Sequence, residues 1–261
     1  MFDALQIAAT GLHAQQQHVD AIANNLANVN TVGFKRARVG FRELVTRGDD
    51  ALAAAADVPA AAPAARLGAG VAVASVARSF DAGDLRRTEM PLDVAFAGEG
   101  FLEATASDGQ PAFTRGGSLS VNADGLLATA TGHALKPGIA VPADLRSLTI
   151  APDGQVEGRR ADGGTPLPLG RLDVARFHDP GALAALGDGL YRATEASGEP
   201  IAGRAGEDGL GTLRQGFLEG SNVRLVDEVV GLMVAQRAYE ASAKVVQACD
   251  EMAAMVNNLR R

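Results

Sequence analysis

The stretch FDALQIAATGLHAQQQHVDAIANNLANVNTVGFK, residues 2–35, decides what kind of fold this chain adopts. Leu5, Leu12, Val19 and Leu26 recur every seven residues, and Ala8, Ile22 and Val29 form a second row at the same interval. That spacing predicts a helix between Phe2 and Asn30 with a coiled-coil seam, about 40 Å long at about 1.5 Å per residue. Gln15 interrupts the second row, a polar insertion that costs stability while fixing register. Asp3 sits where the helix dipole favours an acid, and Gly33 is the expected stop. Asn24, Asn25, Asn28 and Asn30 crowd the last turns, against intrinsic helix propensity. They read either as a fraying end closed by glycine, or as amides that bridge neighbouring chains, with Phe34 as an apolar plug behind the turn.

The other end mirrors this pattern. Ser221 or Asn222 is positioned to cap a helix with Asp227 and Glu228 in its first turns and Arg260 and Arg261 at its end, each on the side the dipole favours. One seam reads Leu225, Val229, Leu232, Tyr239, Val246; a second reads Ala235, Ala238, Val245, Cys249, Met252, Val256, Leu259. Two seams on one helix call for at least two neighbours.

Between the helices the period changes from seven to two. Short alternating runs such as 101–105, 118–121, 148–150 and 172–174 are punctuated by Asp108-Gly109, Asp124-Gly125, Asp153-Gly154 and Asp162-Gly163. Asp-Gly between alternating runs is the strongest local signal of a hairpin, so the middle is expected to be β-rich and antiparallel. Residues 51–66 hold ten Ala and two Pro, and Pro59 and Pro63 prevent one continuous helix. This reads as an extended insertion or linker, and 203–216, rich in Gly, as a return linker.

Composition narrows the function. The 261 residues are 47% hydrophobic but 4% aromatic, so the expected core is Ala, Val and Leu without large anchors. A net charge of −7 argues against general nucleic-acid binding, which draws on a basic face. The single Cys249 cannot form an internal disulfide, and four scattered His make no common zinc site. The start carries no secretory leader pattern, and no apolar run reaches membrane-spanning length.

Catalytic patterns fail. Lysines stand only at 35, 136 and 244, none in a phosphate-cradling motif, and neither 68–70 nor 98–100 completes a dinucleotide fingerprint. His13 and His18, five apart, fall on different helix faces, and Cys249 on an apolar seam reads as a buried thiol. No cofactor is implied. From Phe34 to Arg47 the cations Lys35, Arg36, Arg38, Arg42 and Arg47 accompany one acid, Glu43. They read as a solvated linker, or as a basic stretch that docks on acidic surface of an adjacent copy.

The segment 23–35 resembles the N-terminal signature of the bacterial flagellar rod and hook proteins. Similar segments follow in that family's order: Asp93-Val94-Ala95 leading to Gly98-Glu99-Gly100-Phe101, Phe113-Thr114-Arg115, residues 216–223, and Gln236-Arg237-Ala238-Tyr239-Glu240. Length, the insertion before Gly68 and the 236–240 block are most similar to the distal-rod branch. Gly116, where the family tends to have Asp or Asn, and the Ala/Pro-rich 51–66 depart from the pattern.

The resemblance implies an α+β protein whose N- and C-terminal helices form a coiled-coil layer around a β-rich antiparallel middle domain. The expected divisions are an N-terminal coiled-coil helix at 1–33, an extended linker with the insertion at 34–80, the middle domain at 81–202, a return linker at 203–220, and a C-terminal coiled-coil helix at 221–261. The implied role is a non-enzymatic distal-rod subunit that polymerises into a rigid helical tube carrying torque. Implied partners are copies of itself, proximal rod proteins, the hook protein, ring proteins of the peptidoglycan and outer-membrane layers, and the flagellar export apparatus. The implied place is the basal body across the periplasm, reached without a cleaved signal peptide. Residues expected to carry assembly are Leu5, Leu12, Val19, Asn24, Asn25, Leu26, Asn28, Gly33, Phe34, Asn222, Leu225, Leu232, Tyr239, Val246 and Met252. The rivals are a proximal rod or hook subunit, and, in another class, a secreted enzyme with an acid/base pair on a β scaffold.

Overall fold

The computed structural model describes residues 2–46, 67–160 and 165–259. The insertion at 51–66, the turn at Asp162-Gly163 and the terminal Arg260 and Arg261 lie outside them. Two compact bodies result, one holding residues 1–26, 37–76 and 225–261, the other 27–36 and 77–224.

The first body contains helix α1 (Phe2–Ala27), strands β1 (Ala37–Thr46) and β2 (Leu67–Arg78), which pair as a two-stranded sheet, and helix α2 (Leu225–Leu259). Helix α1 stops at Ala27, ahead of the expected Gly33, because the chain turns at once, with the Thr31 amide donating to the Asn28 carbonyl at 3.1 Å. The helices touch in matching order: Asn25 donates to Glu228 at 3.2 Å, a Cβ at Gly231 would lie 3.5 Å from Ile22 Cδ1, and one at Gly11 3.6 Å from Ser242 Oγ. As the number rises in α1 it falls in α2, so the pair is antiparallel. The α2 row that faces α1 is Glu228, Gly231, Ala235, Ser242 and Cys249, small residues that let the two backbones approach closely. The bulkier expected seam is on other faces of α2: Leu225, Val229 and Tyr239 are exposed, and Leu232 and Val246 half-buried. Cys249 is buried.

Sheet β1–β2 packs on another face of α1. Gly70, at φ +107°, brings β2 so close that a Cβ would collide with Thr10 Oγ1, which itself accepts from the Val71 amide at 3.2 Å. His18 meets Phe41 edge to face at 5.6 Å.

The second body carries the short strands β3 (Leu85–Arg87), β4 (Asp93–Ala97), β5 (Phe101–Thr105), β6 (Pro111–Thr114), β7 (Gly116–Val121), β8 (Leu127–Thr129), β9 (Leu145–Ile150), β10 (Gln155–Arg160), β11 (Leu167–Arg171), β12 (Val174–Arg176), β13 (Ala184–Gly187), β14 (Leu190–Arg192), β15 (Ile201–Gly203), β16 (Thr212–Gln215) and β17 (Phe217–Glu219). They form sheets ordered β13-β14-β6-β5-β12-β15, β16-β4-β7-β8, β11-β10-β9 and β17-β3. Neighbours pair antiparallel, as expected. Three Asp-Gly signals are turns between consecutive strands; at the first, the Asp108 side chain accepts the Gln110 amide at 3.0 Å. Gly116, the departure noted above, opens β7 at φ +100°, where a Cβ would strike the Val94 carbonyl. No β-branched or larger residue fits there.

The six-stranded sheet is covered on both faces, and here the expectation of a core without anchors is wrong. Alternation along β5, β6, β12 and β14 sends Leu102, Ala104, Ala112, Val174 and Leu190 to one core, and Phe101, Phe113, Ala175 and Tyr191 to a second. Phe177 and Phe80 complete the second core, with Phe113 and Phe177 edge to face at 4.8 Å and Phe80 and Tyr191 at 5.0 Å. A chain-wide percentage averages over position; the few aromatics are concentrated on one sheet face.

Candidate functional site

Three charged side chains meet in the interior of the second body. Lys35 is fully buried and donates to Glu219 Oε1 at 2.7 Å and to the Asp81 carbonyl at 2.8 Å. Arg115 donates from Nε to Glu219 Oε2 at 3.2 Å, and its other nitrogens reach the carbonyls of Gly100 at 2.7 Å and Gly98 at 2.8 Å. Its guanidinium also lies over the rings of Phe96 and Phe101. Glu219 accepts the Gly83 amide at 3.0 Å, and its own carbonyl accepts the Gly33 amide at 2.8 Å.

Two cations therefore share one carboxylate. Burial pushes the Glu219 carboxyl up, but Arg115 and Lys35 together outweigh it and hold it below the ordinary glutamate value. Burial is the stronger influence on Lys35 and moves its ammonium below the ordinary lysine value, against the pull of Glu219.

Beside this cluster, Asn222 Oδ1 accepts the Arg36 amide at 2.7 Å while Nδ2 donates to the carbonyls of Ser79 at 2.8 Å and Asp81 at 3.1 Å. Asn222 thus fastens loops rather than capping α2, which starts three residues later at Leu225. Phe34 lies under the Arg78 guanidinium at 5.5 Å, and Arg78 donates to the Lys35 carbonyl at 3.0 Å. Lys35 is no member of a solvated or intermolecular basic stretch. A buried acid in its own chain takes its charge.

In the first body Asn25 is buried and used within the chain: Oδ1 accepts the Ala37 amide at 2.8 Å and Nδ2 donates to the Ala37 carbonyl at 2.9 Å and to Glu228. Asn24 is exposed; Asn28 is half-buried and accepts from the Thr31 hydroxyl at 3.1 Å. Leu5, Leu12, Val19 and Leu26 are half-buried along α1. Met252, like Leu225 and Tyr239, is exposed on α2. The structure thus gathers Gly33, Phe34 and Asn222 at the junction in the second body, and Asn25 at the helix pair in the first.

Sequence reasoning missed Lys35, Arg115, Glu219 and Glu228 as interior groups. The available signal was that Lys35, Gly98 to Gly100, Arg115 and Glu219 all stand in the segments that carried the family resemblance. Among the described residues the buried acids are Asp93, Glu219 and Glu228. Asp93 accepts from Ser118 at 2.7 Å and from Thr88, so each is already held by partners of its own. Among the described residues no group of three or more His, Cys, Asp or Glu is placed to hold a metal, and no helix is long and apolar enough to cross a membrane.

Comparison with known proteins gives the same order of segments. The family described as flagella basal body rod protein matches residues 5–35, the flagellar hook protein FlgE/F/G D1 domain matches 95–158, and the flagellar basal body rod FlgEFG protein C-terminal family matches 214–259. The chain is 39% identical to the flagellar basal-body rod protein FlgG of Borreliella burgdorferi, covering 100% of both. It is 41% identical to FlgG of Agrobacterium fabrum over 97% of this chain and 98% of that one. It is 28% identical to the flagellar hook-basal body complex protein FlhP of Bacillus subtilis, again over 100% of both.

Proposed function

Because the chain belongs to the flagellar basal-body rod protein family and is a structural subunit of the flagellar distal rod, we propose that it works by polymerising into a rigid helical tube that carries torque from motor to hook. Its place of action is the flagellar basal body, where it assembles with other rod and hook components. Within that assembly the terminal helices form the coiled-coil inner layer and the β-rich body faces outward. Copies of the chain are its main partner. Proximal rod proteins adjoin one end and the hook protein the other, with ring proteins of the peptidoglycan and outer-membrane layers around the tube as it crosses the periplasm. Subunits reach it through the flagellar export apparatus.

The observation that supports assembly most is the apolar surface α2 leaves open in a single copy. Leu225, Val226, Val229, Val230, Met233, Val234, Tyr239, Val245, Met252 and Met255 are all exposed. A monomeric protein rarely exposes apolar side chains along a whole helix, and neighbours in a tube would cover them. Removing the chain from its own organism tests the reading. Basal bodies should then carry rods that stop short of the hook, in non-motile cells. Full-length rods bearing hooks would overturn it.

A further inference from the structure

The first body carries an open ridge and an open groove, and neither can serve the other within one copy. The ridge is the start of α2: Leu225, Val229 and Met233 form one row and Val226, Val230 and Val234 the next, with exposures from 41% at Val229 to 72% at Val226. At 100° per residue this face points away from the row of Glu228, Gly231 and Ala235 that meets α1. The groove has a volume of about 510 Å³ and lies between α1 and the β1–β2 sheet, lined by Thr10, His13, Gln17, Leu44, Ala72 and Val73 among others. No acid and no Lys or Arg lines it.

We propose that this groove receives the α2 ridge of a second copy of the chain. The idea rests on the rod-subunit reading and names the surfaces that meet. Charge supports the choice of occupant. Helix α1 has no Lys or Arg, and its two acids, Asp3 and Asp20, stand one turn beyond each end of the groove-lining stretch from Gln6 to Gln17, both exposed. The ridge face of α2 runs on into Arg237 and Lys244, both exposed cations. An apolar ridge ending in cations matches an uncharged groove flanked by acids. A ridge from a copy of this chain meets both requirements at once.

Two measurements on the full-length protein test this. Val230→Glu alters an exposed side chain and leaves the fold of the subunit intact, while Ala72→Glu puts a charge in the groove. Each should raise the concentration needed for assembly by on the order of tenfold or more, as an unpaired charge in a dry contact does. Unchanged assembly by Val230→Glu, with the subunit still folded by circular dichroism, overturns the proposal. In a Cys249→Ser background, Ala72→Cys subunits polymerised with Val230→Cys subunits should form mixed disulfide dimers that neither forms alone. Polymers without the mixed dimer overturn the pairing and leave the rod-subunit reading standing. Failure of the unsubstituted protein to polymerise at any concentration would count against that reading itself.

Discussion

Lys35 Nζ lies 2.7 Å from Glu219 Oε1 with neither side chain more than 3% exposed, although 184 residues separate them in sequence. The pair closes the β body by joining its first segment to its last strand. Removing Glu219 leaves two buried cations facing one another, whereas removing Lys35 leaves a balanced Arg115–Glu219 pair. Glu219→Gln should therefore lower the unfolding free energy of the subunit by about 3–5 kcal/mol, and Lys35→Met by about 1–3 kcal/mol. Urea unfolding gives the order directly. A larger loss for Lys35→Met would mean that the two cations do not depend on a shared carboxylate.

Acid should release the same cluster. Glu219 titrates below the ordinary glutamate value, so the unfolded chain takes up a proton first as pH falls. Its contribution is complete above the free glutamate pKa of about 4.3 and disappears as pH drops through the lower folded value. Lys35 runs the other way: its folded value is lowered, so its charged form is disfavoured, and stability gained from its deprotonation appears as pH rises toward the ordinary lysine range. In the Glu219→Gln protein the acid-side slope of stability against pH should be shallower. An identical slope would assign acid lability to other carboxylates.

Asn25 is expected to matter within one chain before it matters between chains. Asn25→Ala strips partners from both backbone groups of Ala37 and from Glu228 in a buried place, a loss of about 2–4 kcal/mol given the cost of unpaired buried groups. Asn24→Ala, at an exposed position, should change subunit stability by less than about 0.5 kcal/mol. Equal effects of the two substitutions on thermal unfolding would contradict the difference in burial.

Gly70 fixes the β1–β2 sheet on α1 by close approach. Gly70→Ala adds strain at φ +107° and a collision with Thr10, and should cost about 2 kcal/mol or more. Thr10→Ala relieves the collision but not the strain, so the penalty of Gly70→Ala should shrink, without vanishing, in the double variant. A double-mutant cycle in urea measures this; full additivity would show that Thr10 is not what excludes the methyl.

Helices and hairpins were legible because local patterns encode them. The seven-residue rows gave α1 and α2, and Asp108-Gly109, Asp124-Gly125 and Asp153-Gly154 gave the turns they make. What escaped depends on distant partners. Lys35 sits among four arginines and looks like surface; only Glu219, far along the chain, makes it interior. The two α2 seams were found, but not which one faces α1. Bulk suggested the Leu225 row, whereas close backbone approach selects the small row of Gly231, Ala235, Ser242 and Cys249. The aromatic core was missed because composition hid it, although Phe101, Phe113 and Tyr191 alternate with aliphatic neighbours in a pattern strand periodicity could have shown.

Electron microscopy of the purified protein, viewed across a concentration series, tests the central claim most directly. If the open faces of the terminal helices are built to be covered by further copies, raising the concentration should convert globular subunits into straight hollow tubes of uniform width. A protein that remains a dispersed globule at every concentration, with the α2 side chains still reached by solvent, would contradict it.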